Sequence, residues 1–319
     1  MLNFIIRIMT RELPTTFSLY LLPADVPEIL TRLKSHGLND LQSRMFTVAK
    51  EYFSLPRDEK LLYPITKQNE GYISLGQEKL DTATQQNQAG PKLLINQKEC
   101  YNILKRTTKN DVPMVLRENF PLLEELRWRC YSLCMQLLKY LATGFEINEN
   151  YFTDNHDWSA DGGDLLQLLH NPPTDKTAIR AGMHSDYGSF TLVFQRENES
   201  GLQVFDHLQN EWYNVEPCED MCVVNTGDML EYWTNGFVKS TIHRVMPLIN
   251  NQEKDRYSIA FFSIANNPTL LTPIKSKFLV KDYQMYQKDE HAKDIFDYEN
   301  RKSITAGEHL QMRLNRTYK

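Results

Sequence analysis

After Asp161 the chain passes through eight short β-prone segments, separated by turn residues at spacings near ten residues, with no helical pattern between them. They are Leu165–His170, Phe190–Gln195, Leu202–Phe205, Trp212–Val215, Met221–Asn225, Met229–Trp233, Ser240–Met246 and Tyr257–Ile264. A parallel βαβ unit needs a crossover of about a dozen residues or more. The spacing therefore argues against a doubly wound sheet and predicts an antiparallel sandwich or barrel.

The first half reads as helical. From Asp40, taken as the N-cap, Leu41, Met45, Val48, Ala49 and Tyr52 recur every three or four residues until Pro56 stops the run. A second helix starts near Pro121 and carries Leu122, Leu126, Cys130, Leu133, Cys134, Leu137, Leu138 and Leu141 on one stripe before Gly144. Residues 66 to 113 lack sustained periodicity, and the polar run Thr82 to Gln88 suits a pocket loop or plain surface. From Pro268 the chain turns polar, as one or two helices packed on the outside do. The expected class is α+β with a mainly β core flanked by helices. Its parts are an N-terminal mainly helical region 1–155, with 1–35 divergent, a β core 156–268, and a polar helical tail 269–319.

Charge and cysteine content narrow the function classes. With 36 Lys and Arg against 41 Asp and Glu the net charge is −5, so no global positive field draws a polyanion and no nucleic-acid partner is expected. The apolar stretch Leu2 to Met9 is broken by Asn3 and Arg7 and is far shorter than the ~20 residues of a membrane helix. Five cysteines cannot all pair, and Cys130/Cys134 and Cys218/Cys222 have CxxxC spacing, which suits neither a disulfide framework nor a zinc ribbon. The expected protein is a cytoplasmic monomer, with the nucleus as a second reducing location.

Candidate chemistry begins at His184-Ser185-Asp186, followed by Tyr187-Gly188 and a strand from Phe190. Eight histidines among 41 acidic residues in a chain of 319 make about one such match expected by chance, so context carries the reading. In an extended segment residues two apart face the same side, and an imidazole and a carboxylate then converge on one ion. A third ligand must come from elsewhere. His207 lies in what reads as a hairpin tip, whereas His243 sits in the β-prone run Ser240 to Val245, where a core-facing imidazole needs a partner. Two imidazoles and one carboxylate suit an Fe(II) oxygenase, and three protein ligands plus water equally suit catalytic zinc. Downstream, Arg256 and Ser258 share one strand face, a guanidinium fork and a hydroxyl suited to a carboxylate. Arg301-Lys302-Ser303 repeats the same pattern in what reads as a surface helix.

The run Gly182-Met183-His184-Ser185-Asp186-Tyr187-Gly188-Ser189-Phe190-Thr191-Leu192 resembles the first metal motif of the 2-oxoglutarate and Fe(II)-dependent oxygenases similar to isopenicillin N synthase and the plant flavonoid and gibberellin oxidases. Gly201-Leu202-Gln203-Val204, Val224-Asn225-Thr226-Gly227-Asp228, Asn235-Gly236, His243-Arg244-Val245 and Arg256-Tyr257-Ser258 follow in that family's order, and His36-Gly37-Leu38 with Leu55-Pro56-Arg57-Asp58-Glu59-Lys60 matches its N-terminal region. The resemblance implies a double-stranded β-helix, or jelly roll. It also implies iron on His184, Asp186 and His243, and 2-oxoglutarate on Arg256 and Ser258. Dioxygen and a small organic substrate complete the reaction, succinate and CO2 are products, and ascorbate is an expected reductant. Alternatives are an oxidase that uses the metal site without 2-oxoglutarate, and an inactive, binding-only jelly roll.

Three departures accompany the match. Nothing before His36 resembles the family's first strand, so an unpaired sheet edge is expected there. Asn171 stands where the family usually has a tyrosine at the co-substrate, and Lys92-Leu93 replaces an acidic element of the pocket wall. Tyr72, Phe190, Phe262 and Trp233 are the aromatic candidates for the pocket.

Overall fold

In the segment Arg256–Ser263 the side chains of Arg256, Ser258, Ala260 and Phe262 face a cavity, while Tyr257, Ile259 and Phe261 enter the hydrophobic core. These are the two faces of a strand at period two. The same division holds in Leu165–Asn171, where Gln167, Leu169 and Asn171 line the cavity and Leu166 and Leu168 pack behind it. Both strands are therefore buried on both sides, which is why they read as near-continuous apolar runs.

The computed structural model describes residues 18–21, 30–34, 36–78, 80, 96–174, 179–206, 209–218, 220–247, 254–279 and 303–318. Its strands are β1 (Ser18–Leu21), β2 (Leu30–Lys34), β3 (Gly71–Ile73), β4 (Glu99–Leu104), β5 (Leu165–Asn171), β6 (Ala181–His184), β7 (Phe190–Gln195), β8 (Leu202–Asp206), β9 (Glu211–Asn214), β10 (Met221–Thr226), β11 (His243–Val245) and β12 (Arg256–Ser263). They form an eight-stranded sheet in the order β1-β2-β10-β7-β12-β5-β4-β3 and a four-stranded sheet in the order β6-β11-β8-β9. Every described pairing within them is antiparallel. The cavity lies where side chains of β6 and β11 meet those of β5, β7 and β12.

Two helices close the other face of the large sheet. Helix α1 (Asn39–Phe53) packs on β5 and β12, and α2 (Phe120–Gly144) packs on α1 and β12. Met45, Ala49 and Tyr52 from α1 meet Leu126, Cys130 and Leu141 from α2 in the same core as Ile259 and Phe261. Each large side chain removed from water here contributes about 1.5–3 kcal/mol.

Four expectations need correction. Asp40 is not the cap of α1: that position is Leu38, and Asp40 lies in the first turn, paired with Arg44 at 3.2 Å. Met229–Trp233 is not a strand but part of helix α3 (Asp228–Trp233), all six of whose residues are buried, the charged Asp228 and Glu231 included, and which is too short to show a helical period. The aperiodic stretch 66–113 contributes β3 and β4, the latter buried at every position and therefore without alternation. The segment before His36 does pair: β2 runs along β10 from Leu30 to Lys34 and β1 covers β2. Ladder bonds are made by backbone, so an extended chain of the right length fills the edge without the family's residues. Leu2 to Met9, Thr82 to Gln88, Lys92-Leu93, His207 and Arg301-Lys302 lie outside the described residues.

Candidate active site

His184 ends β6 and His243 opens β11, and the two are direct register partners. Their rings lie 4.2 Å apart between centroids. Each ring is held by its own backbone: His184 Nδ1 donates to Gly182 O at 2.7 Å, and His243 Nδ1 donates to Thr241 O at 2.9 Å. A neutral imidazole that donates through Nδ1 keeps its lone pair on Nε2. Burial, followed by the neighbouring His243, pushes the His184 pKa well below the usual range, so this ring is neutral.

Asp186 completes the group. Its Oδ2 accepts from Asn225 Nδ2 at 2.7 Å, and its Oδ1 stands 3.8 Å from His243 Nε2. One ligand atom from each of His184, Asp186 and His243 lies within 4.8 Å of the others. The start of α3 pins the main chain behind them, with Asp228 N donating to Asp186 O at 2.8 Å and Met229 N to Gly188 O at 2.9 Å. Gly227 is required for that approach, since a Cβ there would stand 2.5 Å from Gly188 O. Two imidazole nitrogens and one carboxylate oxygen gathered together fit Fe(II) and leave positions for exogenous ligands.

Arg256 and Ser258 face the same cavity from β12. Arg256 is 2% exposed. Its Nη1 donates to Ser258 Oγ at 3.1 Å and to Asn171 Oδ1 at 3.3 Å, its Nη2 to Gln195 Oε1 at 3.1 Å, and its Nε to Glu199 O at 3.1 Å. Burial, with Arg180 adding like charge, brings its pKa down to about 10, which leaves it a cation at neutral pH. Asn171 is its cross-strand partner. Where a tyrosine was expected, an amide instead holds the guanidinium. The cavity is lined by the triad at one end and by Arg256, Ser258 and Asn171 at the other.

A second cavity shares His184, Asp186, Lys98, Gln167 and Phe262 with the first. Its far wall is Leu310, Leu314, Thr317 and Tyr318, from or just after helix α4 (Ala306–Thr317). This helix is more than an outer layer. Arg313 donates to Ser185 O at 3.2 Å and faces the buried Asp228 at 3.4 Å, and Tyr187 OH bonds Thr317 Oγ1. Among the four aromatic candidates only Phe262 lines these cavities, whereas Tyr72, Phe190 and Trp233 are core residues. Lys98, Gln167 and Gln195 went unassigned from the sequence, and α4, expected as an outer helix of the tail, was given no place at the site. Period two from Thr191 through Val193 points to Gln195, and the capping pair Thr305 and Glu308 marks the start of α4.

Two family models match the chain: the 2OG-Fe(II) oxygenase superfamily over residues 150–265 and the non-haem dioxygenase in morphine synthesis N-terminal region over residues 30–120. The 2-oxoglutarate-dependent dioxygenase citB of Monascus ruber is 31% identical over 269 residues, spanning 76% of this chain and 77% of that one. The chain belongs to the 2-oxoglutarate and Fe(II)-dependent oxygenase superfamily. This dioxygenase is also 31% identical to UPF0676 protein C1494.01 of Schizosaccharomyces pombe, over 90% of its own length and 84% of the relative's. A full-length Neurospora crassa protein, solved in complex with alpha-KG, superposes with a TM-score of 0.70 at 26% identity, covering 98% of this chain and 90% of that one. The two sheets are accordingly the jelly roll of this oxygenase family, and Fe(II) and 2-oxoglutarate are its cofactor and co-substrate.

Proposed function

We propose that this oxygenase holds Fe(II) on His184, Asp186 and His243, takes the distal carboxylate of 2-oxoglutarate on Arg256 and Ser258, and hydroxylates or desaturates a small organic metabolite. In the hydroxylation case substrate, 2-oxoglutarate and O2 yield hydroxylated product, succinate and CO2. The observation that carries the reading is the single cavity whose two ends are the triad and the Arg256–Ser258 pair. Iron, when bound, supplies the redox chemistry that couples decarboxylation of the co-substrate to oxidation of the substrate.

The protein's own residues bind, orient and exclude water. The Arg256 fork, held by four bonds, keeps an Nη2 N–H for a carboxylate, and Ser258 Oγ stands beside it to add a further bond. Asn171 and Gln195 hold that fork in place through their amide oxygens. Asn225 takes one oxygen of Asp186 and leaves the other turned toward the imidazoles. Val193, Leu202, Val245 and Ala260 supply the apolar wall between the two ends.

We further propose a cytoplasmic monomer, with ascorbate keeping the metal reduced in assays. The experiment is a co-substrate turnover screen of the purified protein with Fe(II), ascorbate and a metabolite library, read as succinate. Substrate-stimulated succinate is expected. Oxygen consumption that ignores 2-oxoglutarate contradicts the reading.

A further inference from the structure

Lys98 is a buried cation at the junction of the two cavities, 7% exposed, and it lines both of them together with His184, Asp186 and Gln167. Its Nζ is 2.7 Å from Glu78 Oε2. Burial opposes the charge, but the Glu78 carboxylate more than offsets it, so the pKa is raised and the group stays an ammonium. An ammonium has three donors. Among the described residues Glu78 is its ion-pair partner, and the Lys98 side chain also lines both cavities.

Gln167 lines the same two cavities, and its orientation follows from a chain of bonds that ends on a backbone carbonyl. Asn102 Nδ2 donates to Asn69 O at 3.2 Å and to Asn69 Oδ1 at 2.9 Å. A carbonyl accepts only, so the oxygen of Asn102 must face Gln167, where it accepts from Nε2 at 2.7 Å. The amide oxygen of Gln167 is thereby turned away from Asn102, on a side chain that lines both cavities. An ammonium and an amide oxygen thus share the lining of both cavities with two triad residues.

We propose that the substrate carries a neutral N–H beside a carbonyl oxygen, as a lactam, imide or carboxamide does, with the oxygen taken by Lys98 and the N–H by Gln167. This rests on the reading of the triad cavity as the oxidation site. A neutral group is favoured because Glu78 already balances Lys98, and a buried carboxylate on the ligand would enter without a counter-charge of its own. Apolar parts of the ligand have Leu165, Phe262, Ile264, Leu310 and Leu314 to pack on. On this wall Lys98 and Gln167 are specificity-determining residues.

The test is anaerobic calorimetry on the Fe(II)-loaded full chain. Binding of 2-oxoglutarate is measured first, and its absence would defeat the underlying reading rather than this one. With 2-oxoglutarate bound, 2-piperidone, N-methyl-2-piperidone and cyclohexanecarboxylate are titrated. The lactam is expected to bind at least about tenfold more tightly than either, since the methyl removes the donated hydrogen bond and leaves the Gln167 oxygen unpaired. Gln167→Leu is expected to bring the ratio of the two lactams close to one, and the wild-type comparison stands even where that variant fails to fold. Equal binding of both lactams, preference for the carboxylate, or no binding of any of the three overturns the proposal.

Discussion

Asn225 Nδ2 lies 2.7 Å from Asp186 Oδ2, so one oxygen of the carboxylate is committed to β10 while the other faces the two imidazoles. Losing that donor frees the carboxylate to rotate. Asn225→Ala is expected to weaken Fe(II) or Co(II) binding by roughly ten- to a hundredfold while the fold persists, measured by calorimetry beside circular dichroism. Unchanged metal affinity would show that Asp186 needs no such support.

Arg256 is expected to tolerate neither loss nor exchange. Arg256→Lys keeps a charge but not the fork, and losing a charge-assisted hydrogen bond costs about 1.5–3 kcal/mol. The apparent KM for 2-oxoglutarate should rise roughly ten- to a hundredfold with metal affinity unchanged. A variant with wild-type KM would remove Arg256 from the co-substrate site.

Helix α4 is tied to the metal loop through Arg313, which donates to Ser185 and faces Asp228. Asp228 is fully buried, and although burial opposes its charge, Arg313 and His309 bring its pKa down to about 2. Arg313→Met leaves that carboxylate short of one partner, at an expected cost of about 3–5 kcal/mol. Denaturant titration checks this, and a loss below about 1 kcal/mol would contradict it.

Acid should destabilise the protein through its buried histidines. Burial lowers the pKa of both His36 and His156 from 6.5 to about 4, with Asp220 pulling His36 only partly back. Between those values the unfolded chain binds more protons than the folded one, so stability falls as pH drops from about 6.5 toward 4. Each histidine contributes up to about 3 kcal/mol to this loss. Melting temperatures of wild type and His156→Gln at pH 7 and 5 test it: the variant should show the smaller drop.

The candidate iron and co-substrate residues His184, Asp186, His243, Arg256 and Ser258 could be named because their types and order resemble the family's motifs, with strand period two placing His184 beside Asp186 and Arg256 beside Ser258. Their convergence was not legible, since it depends on the pairing of β6 with β11 and on β12 joining β5, which sequence spacing leaves open. Short elements buried on every side gave no period: β4 and α3 both lack an exposed face, and their polar residues are buried with the rest, so one was missed and the other taken for a strand. Lys98 and Gln167 escaped for a different reason. A lysine or glutamine looks like surface until the bonds to Glu78 and Asn102 show it to be buried.

The most direct measurement is a crystal structure of the chain grown anaerobically with Fe(II) and 2-oxoglutarate. The metal is expected on Nε2 of His184, Nε2 of His243 and a carboxylate oxygen of Asp186, with the distal carboxylate of 2-oxoglutarate on Arg256 and Ser258. Metal on any other residue set, or a co-substrate carboxylate bound away from Arg256, would contradict the assignment.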